Sequence, residues 1–110
     1  MQSIIQLFLP LFAYFVQLAA QIGLRMLPAV KDDIAKMTEK SFEIIFACLT
    51  GQITSDEEKM SFRILVDDLK AMGETLLGKL QIEEMRLPAE LLAGFSSVVG
   101  SLPGALLKLI

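Results

Sequence analysis

The sequence has no histidine and no tryptophan, and only one of its 110 residues is a cysteine. Without histidine the chain lacks the commonest general base and the mixed histidine and cysteine ligands of many zinc sites. A single cysteine excludes a disulfide within the chain. These absences argue against most acid–base chemistry and against a metal centre. We therefore predict a protein that is not an enzyme and holds no metal and no cofactor.

The residues that remain capable of chemistry lack partners for it. Cys48 lies in a strongly apolar stretch with no basic neighbour to activate it, so we expect it in the core, or in an interchain disulfide if the protein is secreted. Ser96 and Ser97 lack the glycines of a nucleophile elbow. No phosphate-binding loop, dinucleotide fingerprint or calcium loop occurs. Three acidic pairs fall in polar parts of the pattern beside lysine or arginine, which is typical of a solvated helix face: Asp32/Asp33, Asp67/Asp68 and Glu83/Glu84.

Charged residues are unevenly distributed along the chain. They make up 21% of it, yet none precedes Arg25 and only Lys108 follows Glu90. The net charge of −3 argues against a nucleic-acid-binding surface. Hydrophobic residues amount to 54%, which is the composition of a folded protein. We expect one domain built from an apolar arm, a charged amphipathic centre and a second apolar arm, at residues 1–24, 25–90 and 91–110.

The apolar residues recur every three to four positions and never alternate, which predicts helices without strands. Thr54 or Ser55 is expected to cap a helix together with Glu57 or Glu58. Pro103 is expected to interrupt the last helix and to leave a short apolar turn after it. The sequence therefore predicts an all-α bundle of about four helices, at residues 2–26, 28–50, 54–85 and 88–101.

Individual helices carry more specific predictions. The first has a stripe of glutamines, among them Gln6 and Gln17, that should face water. The second becomes almost wholly apolar after Ser41, so its second half should be buried on several sides. The third carries apolar residues at coiled-coil spacing from Phe62 onwards, and Gly73 there suits a close helix contact.

The amount of apolar surface leads to the functional prediction. A monomer of this length buries only about two-thirds of its unfolded surface, and both apolar arms compete for the same core. Surplus apolar surface marks an interface, a ligand cavity or a membrane contact. We predict a helical binding or assembly protein that forms a symmetric homodimer or holds a lipid-like ligand between its helices. The candidate lining residues are Phe12, Phe15, Phe42, Phe46, Phe62, Leu69, Met72 and Phe95.

Two alternatives stay open. In the first, residues 4–24 span a membrane, Arg25 and Lys31 hold that end in the cytoplasm, and the amphipathic centre lies in the cytoplasm or at the lipid interface. In the second, the first twenty residues are a cleaved export signal and the mature protein carries apolar ligands. The signal has no positively charged side chain at its start, so a cytoplasmic or membrane-associated protein is favoured over a secreted one.

Overall fold

Four α-helices account for most of the chain that the computed structural model describes, which comprises residues 3–23, 28–51, 53–81 and 86–110. The described ranges contain no strand. The predicted all-α bundle is therefore confirmed. The helices are α1 (Ile4–Ile22), α2 (Pro28–Leu49), α3 (Asp56–Leu80) and α4 (Ala89–Leu107).

The ends of α1 are set by local chemistry. At its start the Gln6 backbone N–H donates to the Ser3 hydroxyl oxygen at 3.3 Å, and the Ser3 N–H donates to the Gln6 side chain at 3.2 Å. At its end Gly23 adopts a φ of 54°, a conformation that residues with a Cβ rarely adopt. The helix was expected to continue to residue 26, but it stops at Ile22; residues 24–26 lie outside the described residues.

The predicted capping box of the third helix is confirmed, and Ser55 is the residue that caps it. The Glu58 N–H donates to the Ser55 hydroxyl at 3.1 Å, and the Ser55 N–H donates to Glu58 Oε1 at 3.1 Å. Thr54 supports the box from outside, because its hydroxyl donates to the same carboxylate oxygen at 3.0 Å. The predicted end of this helix at residue 85 lies outside the described residues; within them α3 ends at Leu80.

The box makes helix stability depend on pH through Glu58. Hydrogen bonds from Ser55, from its side chain first and then from its backbone, lower the pKa of Glu58 below its ordinary value of 4.5. A carboxyl whose pKa is lowered by folding stabilises the fold above the unfolded pKa and loses that contribution as the pH falls through the folded value. We expect Glu58→Gln to lower the melting temperature near neutral pH, and we expect the difference between the two proteins to shrink as the pH falls below 4.5 and through the folded pKa of Glu58.

Thermal unfolding of both proteins across this range checks the expectation. The acidic residues Asp56 and Glu57 of the same helical turn are identical in both proteins, so their contribution cancels in the difference. A difference in melting temperature that is the same at both ends of the pH range contradicts it.

The prediction that Pro103 interrupts the last helix is wrong. α4 continues through it to Leu107, so residues 105–107 belong to the helix and not to a separate turn. A proline inside a helix costs about 3 kcal/mol through the lost N–H and the clash with the preceding turn. Burial of the residues around the proline outweighs this cost, because Leu102, Pro103 and Leu106 are all buried.

Neighbouring helices run antiparallel around the bundle. The ring of Phe12 in α1 lies 5.9 Å from that of Phe42 in α2, and Tyr14 lies 6.3 Å from Phe95 in α4. Between α2 and α3, Lys79 donates to the Asp33 carboxylate at 2.7 Å. Asp33 is thus half-buried and paired, unlike the solvated acid expected there. The helices α1 and α4 close the ring, so each helix has two neighbours.

The core is packed closely where α3 meets α4. A Cβ added at Gly73 would lie 2.9 Å from Val99 Cγ1, which confirms that this glycine sits at a close helix contact. The void between Leu11, Met37, Leu69 and Val99 measures only about 10 Å³, roughly the space of one water molecule. In the described part of the chain, no buried side-chain nitrogen or oxygen lacks a hydrogen-bond partner.

Candidate interaction surface

The eight side chains that the sequence singled out do not form one site. Phe15, Phe62, Leu69 and Phe95 lie in the core, where none is more than 7% exposed. Met72 is half-buried beside them. These five residues hold the helices together and present little surface to a partner.

The other three predicted residues lie together on the outside of the bundle. Phe42 and Phe46 are exposed, and Phe12 is half-buried between the two helices. The expectation that the second half of α2 is buried on several sides is therefore wrong for this chain taken alone. Phe42, Phe46 and Leu49 follow each other at spacings of four and three, so they form one ridge along α2.

A matching ridge runs along α1 and was not predicted. Ile5, Leu9 and Val16 lie on one side of this helix, and Val16 is 69% exposed. The predicted glutamine stripe does face water, since Gln6 and Gln17 are exposed. The sequence shows one polar stripe on α1 but does not show that a second stripe, made of large apolar residues, is also left uncovered.

The two ridges are the sides of a single surface, here called the α1/α2 apolar face. Phe12 stacks on Phe42, and because α1 and α2 run antiparallel, this register places Leu9 at about the level of Phe46 and Ile5 at about the level of Leu49. The floor between the ridges is formed by Phe12 and the buried Ile45. The face consists of Ile5, Leu9, Phe12, Val16, Phe42, Phe46 and Leu49.

Aromatic contacts connect this face to the core. From Phe42 the contacts pass to Phe12, then to Phe15 at 6.3 Å between ring centroids, and then to Phe95 at 6.2 Å. Aromatic pairs at these distances attract one another beyond their simple burial. The centre of the face is thus supported by residues that cannot move without disturbing the core.

The charges beside the face come from α2 alone. Each of Glu39 and Glu43 precedes an exposed phenylalanine of the ridge by three residues, so both lie along its outer edge. Lys40 is shared between Glu43 at 3.3 Å and Asp68 at 3.9 Å. α1 carries no charged residue from Ile4 to Ile22. The α2 edge of the face is therefore lined by carboxylates, with the exposed Lys36 one turn before Glu39, and the α1 edge is uncharged.

Two of the open clefts lie beside this face or beyond it. One, of about 370 Å³, is at the end of the bundle and is lined by Ile4, Leu49 and the half-buried Cys48 among others. Burial raises the pKa of the Cys48 thiol above its ordinary value of 9.0, so the thiol is protonated and unreactive at neutral pH. Cys48 was expected in the core and is only partly covered.

The other cleft, of about 580 Å³, runs between α1 and α4. Gly100 and Gly104 face open space there, because a Cβ added at either residue would have no heavy atom within 4 Å. The close approach of these two helices occurs instead at Gly94, beneath the ring of Tyr14.

The chemical inventory of the described residues is small. Nowhere in residues 3–23, 28–51, 53–81 and 86–110 do three histidine, cysteine, aspartate or glutamate side chains gather as metal ligands would. Two helices, α1 and α4, are long and apolar enough to cross a membrane by length and composition. Comparison of the chain with family models, with curated proteins and with solved structures gives no match.

Proposed function

We propose that this protein is a non-enzymatic helical binding protein that works through the α1/α2 apolar face. The observation that carries the proposal is the contiguous exposure of large apolar side chains on two adjacent helices. Six members of the face are each between 48% and 69% exposed. At roughly 150–200 Å² for a large apolar side chain, they present on the order of 600 Å², the upper end of what monomers leave uncovered.

The total surface of the chain supports the same proposal. Its solvent-accessible area is 6812 Å². A soluble monomer of 12.1 kDa typically has roughly 6,000 Å². The chain thus leaves about 800 Å² more surface uncovered than a compact monomer of its mass, and large exposed apolar side chains are part of that surface.

A ligand held between the helices is less well supported. Sites for small apolar molecules enclose about 300–1,000 Å³. The void in the core measures about 10 Å³. The surplus apolar surface of this chain lies on the outside of the bundle, where it suits a second surface better than an enclosed molecule.

A membrane is the second candidate partner, and it has an observation of its own. The two helices long enough to span a bilayer, α1 and α4, are neighbours in the bundle and pack antiparallel. They form a half whose only charged residue within the two helices is Glu90, opposite the charged helices α2 and α3. Such a division is compatible with a bundle that lies against lipid or opens into it.

The test removes apolar side chains from the face and, as a matched control, from elsewhere. The face variant is Leu9→Ser with Phe46→Ser; the control is Met60→Ser with Ile64→Ser, which changes two equally exposed apolar residues on the outer side of α3. We expect the face variant to lose at least about tenfold in binding, whether to itself or to lipid, because central aromatic contacts dominate interfaces. The control should keep wild-type binding.

Sedimentation equilibrium in buffer and flotation with phosphatidylcholine vesicles measure the two kinds of binding. Helix content by circular dichroism verifies that both variants remain folded. The proposed function is contradicted if the wild-type protein is monomeric and does not bind vesicles, and if both variants behave in the same way.

A further inference from the structure

We propose that the α1/α2 apolar face binds a second copy of this chain, with α2 of each copy lying on α1 of the other. The inference rests on the proposed function and specifies its partner. In the resulting dimer, α1 and α2 of both copies form a new four-helix bundle at the centre, flanked on either side by α3 and α4.

The size of the face suits another protein surface. Two such faces of roughly 600 Å² each would bury on the order of 1,200 Å² in a dimer, which is the lower end of specific protein interfaces. The face also has the anatomy of such an interface, with phenylalanines at the centre and polar residues at the edge. Phe46, which is 63% exposed, is the most exposed of its aromatic residues.

The charges favour a second copy over a lipid surface. Anionic lipids attract surfaces rimmed by lysine and arginine. The residues that follow the outer edge of the α2 ridge are Glu39 and Glu43, and both are exposed. Lys40 is shared between Glu43 and Asp68, and the exposed Lys36 lies one turn before Glu39 on the outer side of α2, so the carboxylates are the charges nearest the ridge.

Symmetry leaves two ways to place the copies face to face. A two-fold axis that runs along the helices puts α2 of each copy on α1 of the other. A two-fold axis that runs across them puts α1 on α1 and α2 on α2. In both arrangements every helix of the central bundle is antiparallel to its neighbours, so helix dipoles do not distinguish them.

The acidic edge distinguishes them. An axis across the helices brings Glu39 and Glu43 of the two copies to the same side, where like charges repel. An axis along the helices places each acidic edge beside α1 of the partner, which has no charged residue between Ile4 and Ile22. The axis along the helices therefore avoids the repulsion. It also places residues at the same level along the bundle opposite each other. Leu9 of one copy then meets Phe46 of the partner subunit.

This contact is testable by charge exchange. We expect wild type to sediment with twice the mass of one chain. Phe46→Glu should weaken the dimer at least tenfold, because its carboxylate faces Leu9 of the partner subunit, and Leu9→Lys should do the same. An equimolar mixture of the two variants should form a heterodimer. At one of its two contacts the introduced carboxylate meets the introduced ammonium group, and at the other the native Leu9 meets the native Phe46. Met60→Glu, on the outer side of α3, should leave the dimer unchanged.

The outcomes separate the inference from the proposed function. A dimeric wild type whose two variants stay monomeric when mixed overturns the arrangement. If the wild type is monomeric and binds vesicles of phosphatidylcholine or phosphatidylserine, and Phe46→Glu abolishes that binding, a second copy is not the partner but the proposed function is supported. A dimer weakened by Met60→Glu and not by Phe46→Glu overturns both.

Discussion

Phe95→Ala is expected to lower the free energy of unfolding by about 3–5 kcal/mol, whereas Phe46→Ala is expected to change it by less than about 0.5 kcal/mol. Both phenylalanines were predicted as members of one site. The structure separates them, because Phe95 is fully buried in α4 and Phe46 is mostly exposed on α2.

The difference has a direct physical origin. Phe95 contacts both Phe15 and Tyr14 by its ring, so truncation leaves a cavity and removes two aromatic pairs. Phe95 is fully buried, and the side chains around such a position collapse only partly into the space that truncation leaves, which is why large-to-small changes in a core are costly. Truncation of Phe46 removes a side chain that is already largely in water.

Urea unfolding followed by circular dichroism measures both values. Because a dimer adds stability by mass action, each protein is measured over a series of concentrations. Any loss for Phe46→Ala that vanishes on dilution then belongs to association and not to the fold. Equal losses for the two variants at the lowest concentration would contradict this division of the candidate residues.

The fold was predictable because its signals are local. The Ser55 and Glu58 cap requires residues only three apart, and the apolar spacing of α3 identifies its buried side from Phe62 to Leu80. The exceptions are positions where tertiary packing overrides local preference. Pro103 is a helix breaker by composition, yet burial with Leu102 and Leu106 keeps it inside α4.

The site was only partly predictable. The spacing of apolar residues identifies the apolar side of a helix, but it does not tell which neighbouring helix covers each residue. In a bundle of four helices each helix has two neighbours and an outer side. Phe42 and Phe46 lie on the outer side of α2, while the equally apolar Ile44 and Ile45 face inward. The ridge of Ile5, Leu9 and Val16 was missed for the same reason.

Gly94→Ala is expected to destabilise the fold by about 1–3 kcal/mol, while the same change at Gly100, two turns later in α4, stabilises it by up to about 1 kcal/mol. Alanine is the better helix former at both positions, so intrinsic preference acts in the same direction. The contacts around Gly94 reverse the sign of the stability change at that position. A Cβ at Gly94 would lie 2.7 Å from Cζ of Tyr14 and closer still to its hydroxyl, whereas Gly100 has no atom within 4 Å.

The overlap at Gly94 has a rigid cause. The Tyr14 ring rests edge-on against Phe95, at 6.3 Å between centroids, so it can avoid a new methyl group only by leaving that contact or by moving α1 away from α4. Overpacking of this kind is relieved at the expense of neighbouring contacts. Thermal and urea unfolding of Gly94→Ala and Gly100→Ala provide the comparison, and a gain in stability for both would show that the helices separate without cost.

A double-mutant cycle identifies the tyrosine as the origin of the effect. Tyr14→Ala removes the ring that occupies the space above Gly94, although it loses the packing of that ring on Phe95. On this background Gly94→Ala should no longer destabilise; it should stabilise α4 about as much as Gly100→Ala does. If Gly94→Ala is as damaging without the ring as with it, the close approach of α1 and α4 is held by the backbones and not by Tyr14.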